Sequence, residues 1–306
     1  MSSRVVEARG RLNPALRVGL YLPAIAIAAG GFETLIGFVW RSAIGVVALP
    51  LQLSLPAGAG DGALLRRGAA VTGVVLVTYL FRRGLDRRSL ASLGLQRRPG
   101  WVSESLVGFV LGAVLMTLVF GAELGLGAYR LRAFAWQQHS PDTILAALGV
   151  SFAGFVVVAF YEELVVRGYI LQNLAAVWGT PAGLIVSSGI FALAHLFNPG
   201  AGPVSSIGLF FAGLLLAAGY LASGRLWLPM GLHLSWNLFQ GPVFGFPVSG
   251  LRTTGLVSLE TLGPDLLTGS AFGPEASLVG VAVSLLGLAF LWRWACVKGE
   301  GGRLQG

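Results

Sequence analysis

Residues 168–224 read GYILQNLAAVWGTPAGLIVSSGIFALAHLFNPGAGPVSSIGLFFAGLLLAAGYLASG, fifty-seven consecutive positions without Asp, Glu, Lys or Arg. A helix needs roughly 20 apolar residues to cross a bilayer, so this run predicts two crossings. Pro199 and Pro203 mark the turn between them. Outward from it, the charged residues bracket further windows at 18–40 (interrupted only by Glu33), 105–122, 143–161, 226–251 and 276–292. Gly68 to Phe81 is a shorter window whose flanking arginines would snorkel to the interface. Because backbone in lipid must satisfy its own hydrogen bonds, the sequence predicts an all-α, multi-pass transmembrane bundle of about eight membrane-spanning helices. Ser42 to Pro56 reads as a re-entrant segment, an interfacial segment or a ninth crossing.

Composition supports this class. Of 306 residues 55% are hydrophobic and 11% charged, against about 25% charged in soluble domains. That excludes a soluble enzyme, a disordered tail protein and a disulfide-rich secreted module. The 45 glycines suit close helix approach in a membrane. Cys296 is the single cysteine, so the chain has no internal disulfide or cysteine metal site, and it reads as a small buried or interfacial side chain. No cleavable signal peptide is expected, because Glu33 and more membrane sequence follow the first apolar stretch.

The net charge of +8 comes from twenty Arg and one Lys against thirteen acids. It is read as a positive-inside signal rather than a nucleic-acid surface, and no nucleic-acid partner is expected. With eight crossings, fifteen Lys and Arg fall on the side of both termini and six on the other. This predicts a cell-membrane protein with cytoplasmic termini. The loop from Val243 to Glu275, with Arg252 against Glu260, Asp265 and Glu275, then lies outside. No internal repeat stands out.

Ionisable residues inside membrane segments are costly and usually functional. Of the three histidines, His139 sits in a polar loop and reads as solvated, whereas His195 and His233 lie in apolar sequence. Three clusters result. Glu163 and Arg167 share a helix face at i,i+4 spacing and can pair, which leaves the adjacent Glu162 free for chemistry. Phe191 and His195 share a face, and so do His233 and Asn237 after Pro229. Each cluster alone fits structural bonding: an interfacial salt bridge, a histidine on a backbone carbonyl, an interhelical pair. Together they supply a carboxylate and imidazole to polarise water and an imidazole and amide to bond an oxyanion. That set suffices for acyl hydrolysis without a covalent intermediate.

Glu162-Glu163-x-x-x-Arg167, Phe191-x-x-x-His195 and His233-x-x-x-Asn237 resemble the three motifs of the CAAX-protease and bacteriocin-processing family, the CAAX prenyl protease 2 or Abi family. Arg88 to Leu95 and Leu226 to His233 resemble the family's flanking text. The resemblance covers about residues 143–242. It implies an intramembrane glutamic endopeptidase without a cofactor, acting on a membrane-anchored or lipidated peptide. By that likeness Glu162 with His195 would activate water, His233 and Asn237 would stabilise the oxyanion, and Glu163 and Arg167 would orient the acid pair. Either glutamate can still be the base. The chain divides into an N-terminal transmembrane region (1–142), the core (143–242), and an extracytoplasmic loop with a final helix (243–306).

Other chemistries fit less well. Gly58-Ala59-Gly60-Asp61 spells G-x-G-D but sits in a Gly/Pro-rich turn. Ser187, Ser188 and Ser235 read as small packing residues. H-E-x-x-H is absent, although Glu162, His195 and His233 form a set that a metal could use. A proton- or ion-coupled transporter is the main rival, followed by a non-catalytic membrane partner or immunity protein. Convergence of the three faces separates a protease from a polar route between the two sides of the membrane.

Overall fold

The computed structural model describes residues 12–51 and 63–297. They divide into a unit ending at Leu90 and a unit beginning at Ala91. In the first, α1 (Pro14–Leu51) pairs with α2 (Ala63–Leu80), followed by a π-helical turn at Phe81–Leu85. One end of the pair is held by ions buried together: Asp86 accepts from Arg17 at 3.0 Å and from Arg82 at 2.8 Å. Tyr21 and Thr78 hydroxyls meet at 2.6 Å nearby. From Ser42 to Leu51 the chain simply continues α1, and the rest of that ambiguous segment, like the G-x-G-D turn, lies outside the described residues.

The second unit holds α3 (Trp101–Gly125), β1 (Tyr129–Phe134), α4 (Pro141–Glu163), α5 (Gln172–Trp178), α6 (Thr180–Leu193), α7 (Pro203–Ser223), α8 (Trp227–Leu238), β2 (Val257–Thr261), α9 (Asp265–Thr268) and α10 (Leu278–Val297). A π-helical stretch, Leu164–Leu171, joins α4 to α5 without a break. The run from Pro141 to Trp178 is therefore 38 residues, about 57 Å at 1.5 Å per residue. Glu162 to Arg167 lie inside this run rather than at a helix end, as the charge-bounded window had suggested.

The protein is a multi-pass helical membrane bundle. Among the described residues six helical runs are long and apolar enough to cross a membrane. The other two expected crossings are shorter: α6 has 14 residues, and α8 has 12 before a π turn at Phe239–Val243. Polar interruptions explain both. The α6 helix ends at the His195 turn before the Pro/Gly segment, and Pro242 with Gly241 unwinds the end of α8.

Glycine sets the closest helix pair. A Cβ on Gly108 or Gly112 of α3 would overlap the backbone of Leu228 or Leu232 in α8. One on Gly231 of α8 would overlap the Ser105 carbonyl. Such small-residue stripes let backbones touch where no hydrophobic force separates helix from lipid. At one end Trp101 packs on Trp227 with ring centres 4.8 Å apart, and the Leu226 amide donates to the Gly94 carbonyl. Gly94, from the segment that resembled family text, thus seats the start of α8.

At the other end the polar loops carry a small sheet that the sequence reading lacked. β1 and β2 pair antiparallel, with Arg130 opposite Glu260 and a bulge between Leu131 and Ala133. Glu260 pairs with both Arg130 and Arg132. The acidic balance of this loop is therefore partly spent within it. Glu275 is spent too: it is buried and accepts from the Ser249 amide at 2.6 Å and the Ser249 hydroxyl at 3.0 Å. Cys296 is exposed near the end of α10.

Candidate active site

The site starts from Glu163, whose side chain is fully enclosed at the end of α4. Its Oε1 lies 2.8 Å from Arg167 Nη1 and 2.9 Å from His233 Nδ1. A carboxylate can only accept, so His233 carries its proton on Nδ1. That orientation turns Nε2 toward Glu162, whose Oε2 stands 3.9 Å away. Glu162 Oε1 accepts from the Tyr161 hydroxyl at 3.0 Å. Its Oε2 makes no hydrogen bond. The gap between Oε2 and Nε2 is too long for a direct bond and suits a molecule bonded to both.

Arg167 is fixed on three sides. Besides Glu163, its Nη2 donates to the Gly213 carbonyl at 3.0 Å, and its guanidinium lies over the Phe191 ring at 4.6 Å. Gly213 is the midpoint of α7, and a Cβ there would meet Ser188 Cβ of α6 at 3.0 Å. The π-helical stretch that contains Arg167 widens the helix next to the carboxylates. Such turns recur at functional sites. Cation and carboxylate are both wholly out of water, so neither could be kept without the other.

Phe191 joins the third cluster to the first two. Its ring centre lies 4.9 Å from that of His195 and 6.2 Å from that of His233. The His195 ring is half-buried just past the end of α6, and its Nδ1 donates to the Phe191 carbonyl at 2.9 Å. Among the described residues its Nε2 makes no hydrogen bond, and the ring bonds neither Glu162 nor Glu163. Asn237, one turn beyond His233, is buried. Among the described residues no three His, Cys, Asp and Glu side chains are arranged to hold a metal ion. His139 is exposed in its loop.

The sequence reading named the carboxylates, the cation and the imidazoles but gave Phe191 no part beyond its spacing. It missed Tyr161 and Gly213 altogether. Tyr161 was legible, since it immediately precedes Glu162 in the sequence. Gly213 acts through its backbone carbonyl, so no residue type announced it. Glu123 in α3 was also missed, because it lies one residue beyond the charge-bounded window. It is fully buried and bonded to the Ser277 hydroxyl at 2.9 Å.

A helical membrane bundle with a buried glutamate–arginine–histidine cluster and a second glutamate beside it is the class that fold and site define. Residues 144–239 match the family model described as Rce1-like, type II CAAX prenyl endopeptidase. The matched segment contains all three motifs that resembled the CAAX-protease family. No curated protein and no solved structure matches the chain.

Proposed function

We propose that the protein is an intramembrane endopeptidase that hydrolyses a peptide bond of a membrane-anchored or lipidated peptide by glutamate-activated water. The observation that carries this reading is the unpaired Oε2 of Glu162 facing His233 Nε2 across 3.9 Å. In the proposed reaction Glu162 takes a proton from water as its oxygen attacks the scissile carbonyl carbon. The Asn237 amide donates to the oxyanion, and His233, aligned by Glu163, accepts a hydrogen bond from the attacking water through Nε2. The proton then passes to the leaving nitrogen, the carbon–nitrogen bond breaks, and a carboxylate and an amine depart. His195, with Nε2 unoccupied beside Phe191, is the second group able to carry that proton. Glu163 and Arg167 hold the ring and keep the pair neutral.

We assign the opening of the site to the arginine-rich face, read as cytoplasmic. His233 lies six residues from the start of α8 and ten from Val243, about 9 and 15 Å along the axis. The test compares membranes of cells carrying the wild type or Glu162→Gln by proteomics, and then purified protein in liposomes on prenylated, acylated and plain peptides. A product made only by the wild type, with activity retained in excess chelator, is expected. Inhibition by chelator that metal restores would assign the water to a metal held by Glu162, His195 and His233. If no product differs and no peptide is cut, the reading falls in favour of a transporter or a non-catalytic partner.

A further inference from the structure

Away from Glu162 and Glu163, where α3 begins and α7 ends, the second unit carries an open cavity of about 660 Å³. Arg98, Glu104, Arg225, Tyr220 and Trp294 are on its wall. Arg225 is committed: it pairs with Glu104 and donates to the Arg98 carbonyl at 3.3 Å. The guanidinium of Arg98 is exposed and makes no ion pair among the described residues. The wall thus carries two cations to one anion, with one cation uncompensated.

A second hollow of about 370 Å³ adjoins the first, and Leu221 lines both. Its wall is apolar throughout, formed by residues such as Leu184 of α6, Leu214 of α7 and Leu288 of α10. Along α7 it runs from Leu214 to Leu221, about 10 Å. Tyr220 and Trp294 line the first hollow and Trp292 the second, aromatic rings of the kind favoured at a membrane interface.

We propose that these two hollows are one binding site for a phospholipid with an anionic headgroup. Its phosphate occupies the Arg98 and Arg225 cavity, and the first part of one acyl chain lies in the α6–α7–α10 groove. A cationic, polar chamber beside an apolar slot matches a single amphiphile rather than a soluble anion. Basic pockets between transmembrane helices commonly take such headgroups. The site uses none of the residues assigned to hydrolysis, so it stands or falls independently of that reaction.

The test uses the full-length protein in neutral detergent, with lipid retention followed by native mass spectrometry and melting temperature. Phosphatidylglycerol should be retained and raise the melting temperature, phosphatidylcholine much less. Arg98→Ala, which removes an exposed side chain without a partner, should weaken phosphatidylglycerol binding roughly fivefold while leaving the unliganded melting temperature unchanged. Ala289→Trp, which fills the groove, should weaken phosphatidylglycerol binding but not that of glycerol phosphate. Should that variant fail to fold, Ala218→Leu serves the same purpose on the opposite wall. Equal retention of phosphatidylcholine overturns the headgroup assignment. Equal stabilisation by inorganic phosphate makes the cavity a free-anion site. Competition between phosphatidylglycerol and a lipidated peptide makes it a substrate site, and each of these results ends the proposal.

Discussion

Replacing Arg167 with Met tests the centre of the site most directly. The guanidinium is wholly buried, 2.8 Å from the Glu163 carboxylate. At an effective dielectric of about 20 that separation corresponds to roughly 6 kcal/mol of attraction. The attraction offsets the cost of keeping two charges out of water. Removing one partner of such a pair leaves the other uncompensated and costs about 3–5 kcal/mol. The bond to Gly213 and the stack on Phe191 are lost as well. Arg167→Met should therefore lower stability by about 3–5 kcal/mol, read from reversible unfolding in mixed micelles of rising dodecyl sulfate content. The double variant Glu163→Gln with Arg167→Met removes both charges, so a coupling of about 1–3 kcal/mol should return. Proteolysis should not return, because the carboxylate that aligns His233 is gone. A single variant within about 0.5 kcal/mol of wild type, or a strictly additive cycle, would refute the buried pair as the support of the site.

Asn237→Ala should lower turnover about 10²–10³-fold without shifting the melting temperature, if its amide bonds the oxyanion; unchanged turnover removes it from the mechanism. Gly108→Val should destabilise by about 1–3 kcal/mol or more through overlap with the Leu228 backbone, whereas Gly121→Ala, with open space around it, should be nearly silent in the same melt. Burial holds the Glu275 carboxyl above its ordinary value, opposed by hydrogen bonds from Gln240 and Ser249 and by the charge of His195. The folded chain therefore keeps a proton that the unfolded chain loses near 4.5, and stability should fall as pH rises from there through the folded value. Glu275→Gln should flatten that slope in melts taken upward from about pH 4.5; an unchanged slope would show that Glu275 is not its source.

Much of this was legible because membranes leave few ways to place a polar group. Eleven per cent charge and a run of fifty-seven uncharged residues settle the class, since only helices or closed barrels satisfy backbone in lipid. The i,i+4 pairing of Glu163 with Arg167 followed from helix geometry alone. Segment ends were less legible. Charge-bounded windows assume that a helix stops where charge appears, yet Glu162, Glu163 and Arg167 sit inside a continuous run because neighbouring helices neutralise and enclose them. The pairing of His233 with Glu163 was also out of reach, since spacing shows which residues share a face but not which faces meet. The β1–β2 sheet was lost among short polar segments. Its strands are held by each other and by Glu260 rather than by hydrophobic alternation.

The adjacency of Glu162 and Glu163 has a physical meaning that neither residue has alone. Successive side chains on a helix point about 100° apart, so two neighbouring carboxylates cannot share one environment. Glu163 points between α7 and α8, where Arg167 and His233 take up its charge. Glu162 points to the side of Tyr161, where its side chain remains 15% exposed with one oxygen unclaimed. Pairs of titratable groups whose surroundings differ this sharply commonly divide labour, one structural and one reactive. The π turn that follows fits the same arrangement. Within the stretch Leu164–Leu171, Arg167 reaches back to Glu163 while its other nitrogen bonds Gly213 across the bundle. In the proposed reaction the inner carboxylate is the one that orients His233, and the outer one accepts the proton of water.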